Sequence, residues 1–328
     1  MKLCTFTVPT SLGPQTRIGV AAAGGIVDAT SAVIAHLERT YSPEGAARIG
    51  YARAPTDMIA LIGIGGDTLD LVGESVEAVS ASGQAQTAMG EMTFYQVGDV
   101  ELRAPILTPP GISCFITWPA HIEDSREKGF AMLNFPEIGG DLRAYYKGHT
   151  GSIGHPGQTI PMPPYAKDMD IECEMAAVIG VGGKDLSREQ AEQAIVGYTI
   201  FNDVSYREIQ AREMAFGLGP TKGKDADFSN VMGPWLVTAD EVGDPQKLRM
   251  SFDVNGEEKS SYNTSGMVWG FDDLASYLSR GQTLRPGHVI TSGNYPGGSA
   301  LDLGIKLGSG DKVTLKIEKL GEQSNTIG

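Results

Sequence analysis

Cysteine is scarce. The 328 residues hold three, Cys4, Cys114 and Cys173, widely spaced and without a Cys-x-x-Cys pair. Neither a disulfide framework nor a structural zinc site is indicated, and a reducing, cytoplasmic compartment is the expectation. Long apolar runs are missing too. No stretch approaches the ~20 residues needed to span a bilayer, and residues 1–9 lack the apolar core of a secretory leader. Positive charge is in deficit: 26 Lys and Arg stand against 40 Asp and Glu, a formal net charge of −14. That balance argues against nucleic acid and against an anionic membrane as partners. It leaves room for a small anionic substrate, because a bound cation and local basic side chains can outweigh the overall field. A nucleotide-binding glycine loop is also absent. Gly63-Ile64-Gly65-Gly66-Asp67 lacks both the full fingerprint and a preceding βαβ pattern.

Glycine, at 43, and proline, at 18, are plentiful. Such turn-rich composition favours many short strands over long helices. Lys2–Val8 reads as a strand, and Arg17–Ala22 with Gly25–Ala29 as a hairpin about Gly24-Gly25. Thr30 or Ser31 can cap a helix running to about Tyr41, and Asp67–Ser80 has helical spacing. Thr108-Pro109-Pro110-Gly111 is a rigid break. It divides a small N-terminal α+β domain, residues 1–108, from a second domain, residues 109–328, that carries the chemistry. In the second domain Ser187 and Gln190 form a capping box, and Asn255-Gly256 is a hairpin turn. Phe271–Ser279 reads as a helix closed near Gly281. The expected fold class is α+β with a mixed sheet, and not a doubly wound one.

The most informative stretch is Asp170-Ile171-Glu172-Cys173-Glu174-Met175-Ala176-Ala177-Val178-Ile179-Gly180. Residues two apart on a strand share a face. Glu172 and Glu174 therefore point one way, with Asp170 near the start of the same face, while Ile171, Cys173 and Met175 point into a core. Two carboxylates about 7 Å apart on one face repel unless something positive lies between them. A hard cation such as Mg²⁺, Mn²⁺ or Ca²⁺ answers that need. A solvated edge strand is the alternative. Asp203 ends an apolar strand that could pair beside this one, and it would complete a three-carboxylate site with open positions for water and substrate.

This stretch, together with Gly197-Tyr198-Thr199-Ile200-Phe201-Asn202-Asp203-Val204-Ser205-Tyr206-Arg207-Glu208-Ile209-Gln210, resembles the fumarylacetoacetate hydrolase family. So do Gly223-Lys224, Met232-Gly233-Pro234-Trp235, Val254-Asn255-Gly256, and the run from Leu284 to Gly293. The motifs keep the family's order from about residue 112 onward. The resemblance implies a β-roll catalytic domain, a Mg²⁺ or Mn²⁺ site, and a homodimer. It implies Glu172, Glu174 and Asp203 as metal ligands and His121 as base, with Glu123 or Asp124 as its supporting acid. It further implies Lys224 facing the substrate, and Tyr146, Arg207 and Gln210 as polar pocket residues. Full-length members carry a further metal Asp seven residues before the base; here that position is Cys114, which points to the three-carboxylate site of shorter members. Two positions depart from the family. Its Gly-Asp after Pro is Gly287-His288, and its Thr after Ser-Gly is Asn294, a position near the substrate in relatives.

These parts imply a metal-dependent hydrolase that cleaves a C–C bond in a small 2,4-dioxo acid of the acylpyruvate or fumarylacetoacetate kind. The same site without water attack would serve a decarboxylase, hydratase, dehydratase or isomerase on a related 2-oxo acid. A non-catalytic metal-binding protein on the same fold is the reading from another class.

Overall fold

The computed structural model describes residues 1–127 and 141–328. Its architecture is α+β. Among the described residues, thirteen strands join in one mixed sheet and five in another. The order across the larger sheet begins at Phe94–Gln96 and passes through Gly25–Asp28, Gln15–Ala22 and Lys2–Val8 to Leu236–Thr238. It continues through Ile195–Asp203, Cys173–Ile179, Val289–Thr291 and Ile112–Phe115 to Tyr145–Gly148. Most neighbours are antiparallel, but Val289–Thr291 runs parallel to Ile112–Phe115. The smaller sheet is built on Arg249–Val254, Lys312–Ile317 and Gly321–Ile327. Among the described residues no helix is long and apolar enough to cross a membrane.

The strand Cys173–Ile179 is buried along its whole length. Cys173, Met175, Ala177 and Ile179 pack into the core shared with Phe252 and Leu315 of the smaller sheet. Ala176 and Val178 enter a second core with Leu3, Val33 and Val72. The acids are confined to the start of the strand, and Glu172, just before it, makes an isolated bridge to Ser299. The alternation of acid and apolar residues thus has its period-2 meaning, with the acid-bearing face becoming core two residues further on.

The 108/109 division falls between the strands Glu101–Arg103 and Ile112–Phe115, but the sheet crosses it. Leu3 pairs with Leu236, and Leu236–Thr238 in turn pairs with Ile195–Asp203. The helices of the first hundred residues cover the second core, which includes Ala176 and Phe201 from the chemistry-bearing half.

Most local expectations are met where local chemistry decides. The capping box of Ser187 and Gln190 is present in full. Asn255 and Gly256 both have positive φ in the predicted turn. The first helix differs: it spans Ala29–Leu37 and is capped by Asp28, whose side chain accepts from the Ser31 amide. Asp28 is also held by Arg17, so the cap and the ion pair share one buried carboxylate.

Candidate active site

A cavity of about 490 Å³ opens at the start of the acidic strand. Glu172, Glu174 and Asp203 line it. All three are buried, and their ligand atoms lie within 4.8 Å of one another. Glu172 and Glu174 come from one strand's beginning, and Asp203 ends the antiparallel neighbour, where Cys173 pairs with Asn202. Sheet register therefore assembles the triad.

Two cations hold its charge. Lys224 Nζ lies 2.6 Å from Glu172 and 2.8 Å from Asp203. Arg207 lies 2.9 Å from Glu172, and its Nε donates to Asp170 at 2.7 Å. Gln210 accepts from Arg207 at 3.0 Å, so these two residues brace each other one turn apart on the helix Arg207–Met214. The turn that carries Lys224 packs on this helix through Gly223, where a Cβ would meet the backbone nitrogen of Gln210 at 2.7 Å.

These contacts divide the carboxylates. Burial raises all three, but Lys224 and then Arg207 overcome it at Glu172, which is held below the usual carboxylate range. Burial, then the charges of Asp203 and Glu172, push Glu174 well above that range. Asp203 is also raised by burial, although Lys224 opposes the shift. Lys224 resists its own burial because Asp203 and Glu172 hold it up, so it stays an ammonium. Tyr146 donates to Asp203, and burial keeps the phenol protonated. Burial likewise raises the Cys114 thiol, which lines the cavity as a neutral group.

His121 reaches the cavity from the helix Pro119–Glu127. Its carboxylate neighbour is neither Glu123 nor Asp124, the pair expected from sequence. Nδ1 lies 3.5 Å from Asp302. Glu123 sits two residues along the helix, about 200° round its axis at ~100° per residue, and is exposed. Asp124 is half-buried, but it does not line the cavity. Asp302 comes from a short turn, Leu301–Leu303, near the far end of the sequence. Burial works against its ionisation, but the contact with His121 holds its carboxyl below the usual range. Asn294 donates to Asp302 at 3.0 Å and is buried beside it. Gly293, with φ of 74°, turns its amide onto Glu174 at 3.2 Å. A Cβ there would meet the carbonyl oxygen of Phe115 at 2.4 Å. No motif spacing links Asp302 to His121, so it could not be read from the sequence; its one local sign is an acid set between two leucines in a glycine-rich run.

Two further histidines lie outside this cavity. His155 accepts from the Ala104 amide at 3.1 Å, and burial pushes its pKa down to about 4. His288, at the departure from Gly-Asp, sits 3.1 Å from the Ser113 hydroxyl, and burial lowers it to about 4 as well.

The fold is mixed α+β, and one pocket brings together three buried carboxylates, a histidine–acid pair and a lysine. Residues 121–328 match the Fumarylacetoacetate (FAA) hydrolase C-terminal family. The chain belongs to the fumarylacetoacetate hydrolase family. It is 41% identical over 179 residues to a protein of Burkholderia cenocepacia (strain HI2424) whose name places it only among hydrolases. The match covers 53% of this chain, and the chain spans 61% of the length of that relative. Maleylpyruvate hydrolase from Sphingobium sp. SYK-6 shares the fold over 100% of this chain and 99% of its own, with TM-score 0.69 and 22% identity. Fumarylpyruvate hydrolase from Pseudomonas aeruginosa, solved with Mn²⁺ and pyruvate, is 27% identical. That likeness covers 68% of this chain and 90% of the other, with TM-score 0.57.

Proposed function

We propose that the protein is a metal-dependent hydrolase that splits an acylpyruvate into pyruvate and a carboxylic acid. The observation that carries this reading is the cluster of Glu172, Glu174 and Asp203 facing the His121–Asp302 pair across one cavity. The triad suits a hard divalent cation, Mg²⁺ or Mn²⁺. All its donors are carboxylate oxygens, and the buried Oδ1 of Asp203 has no hydrogen-bond partner among the described residues. When bound, such a cation supplies Lewis-acid charge against the enolate that develops as the C–C bond breaks.

The chain's own residues do the rest. In this reading the Nδ1 proton of His121 faces Asp302 at 3.5 Å, and Nε2 is the basic nitrogen. Nε2 takes a proton from water, and the resulting hydroxide adds to the distal carbonyl. Collapse breaks the bond between that carbonyl carbon and the methylene. The methylene carbon receives a proton, giving pyruvate, and the acyl carbon leaves as the acid, so one water is consumed. The Lys224 ammonium stabilises negative charge on oxygen as it forms. Tyr146 and Arg207 hold Asp203 and Glu172 in place throughout.

Chelator-stripped protein supplied with Mn²⁺ or Mg²⁺ and a set of acylpyruvates tests the reading. Metal-dependent release of pyruvate with a second acid is expected, and loss of both products in His121→Ala. Carbon dioxide, or an intact rearranged chain, would instead assign a decarboxylase or isomerase on the same pocket.

A further inference from the structure

The cavity has a direction. Arg207, Gln210, Ala211 and Met214 line it from one helix, at the spacing that places side chains in one row. Arg207 touches Glu172 at one end of the row. Met214 lies seven residues on, about 10 Å along the axis at ~1.5 Å per residue. The cavity therefore leads from the carboxylate cluster to apolar wall, and Ile116, Ile122 and Ala144 add further apolar lining.

Its charges are already committed. Of the permanent cations lining it, Arg207 is held by Asp170 and Glu172, and Lys224 by Glu172 and Asp203. Asp168, Glu208 and Asp302 line the cavity beside the triad; Glu208 has Lys167 as a partner and Asp302 has His121. A divalent cation would bring the positive charges to four. The carboxylate of the pyruvyl half would bind beside that cation, at the Arg207 and Lys224 end of the cavity. A second carboxylate, on the distal arm, would be buried against the apolar wall around Met214 and would meet no uncommitted cation among the described residues. On the loop between the lining residues Met214 and Gly219, Phe216 and Leu218 are 84% and 86% exposed.

We infer that the acyl group this site accepts is uncharged and apolar, an alkyl or aryl arm, and not one ending in a carboxylate. The inference rests on the acylpyruvate reading above, and it parts from the dicarboxylate substrates named for the structural neighbours. It is tested on Mn²⁺-loaded protein with two acylpyruvates of matched length, one ending in methyl and the other in carboxylate. The methyl-ended compound is expected to show a kcat/KM at least ~100-fold higher, since a carboxylate buried unpaired against apolar wall is strongly disfavoured. Equal or faster cleavage of the carboxylate-ended compound overturns the inference while leaving C–C hydrolysis intact. If neither releases pyruvate, the hydrolase reading fails by itself, and calorimetric binding of the same pair decides the charge question. Tighter binding of the methyl-ended compound supports the inference; equal or tighter binding of the other overturns it. Met214→Arg places a cation at the apolar end. It is expected to narrow the kcat/KM ratio by at least ~10-fold, through a gain on the carboxylate-ended compound; an unchanged ratio contradicts the inference.

Discussion

In the proposed mechanism His121 acts with a partner distant in sequence. Asp302 lies 3.5 Å from Nδ1, and Asn294 holds Asp302 from its other side. Asp302→Asn keeps the shape but removes the charge that orients the imidazole. Its kcat is expected to fall by ~100-fold or more, with a shifted pH–rate profile and little change in KM. Asp302→Glu should recover part of the loss. A fall in KM affinity alone, with kcat and the pH profile unmoved, would show that Asp302 only packs the pocket. The same comparison for Glu123→Ala should show near-normal kcat, because that side chain is exposed and outside the cavity.

The central elements are the paired strands Cys173–Ile179 and Ile195–Asp203, because their register decides whether three carboxylates meet. Gly197 sits where the second of these strands meets Leu236–Thr238, and a Cβ there would come within 2.3 Å of the Val237 carbonyl oxygen. Backbone cannot yield as a flexible side chain can. Gly197→Ala is therefore expected to destabilise the protein by roughly 2–3 kcal/mol, read as a lower urea midpoint; an unchanged midpoint would mean that the two strands separate freely. At this scale the sequence was largely readable. Period-2 acids, a strand ending in Asp203, the capping box and the Asn-Gly turn are local patterns with local causes. Asp302 was not readable, because its role comes from long-range packing of an irregular turn. The true cap at Asp28 was hidden for a similar reason: Arg17, on another strand, competes for and fixes the same carboxylate. The continuity of the sheet across residue 108 likewise follows from a pairing between Leu3 and Leu236 that no local signal announces.

For the molecule as a whole, a core that runs through both halves means that burial anywhere is shared by the fold. His288 is a clear case. Buried against Ser113, it titrates near 4 in the native state against 6.5 ordinarily. Between those values the unfolded chain binds the extra proton, so stability rises with pH there and is lost as pH falls from about 6.5 towards about 4. The contribution is on the order of 3 kcal/mol. Urea midpoints measured across that window should decline, and His288→Gln should decline less steeply; parallel slopes would place the titration elsewhere.

The claim that binds these scales together is that water, activated beside His121, cleaves a C–C bond in a pocket organised by Glu172, Glu174 and Asp203. The most direct measurement is a single turnover series in ¹⁸O-labelled water with metal-loaded protein and an acylpyruvate, with the acid product weighed by mass spectrometry. Hydrolysis predicts one labelled oxygen in the carboxylate of the released acyl fragment, lost together with the metal or with His121→Ala. An acyl product without label, or a product that keeps the full carbon chain, would contradict it.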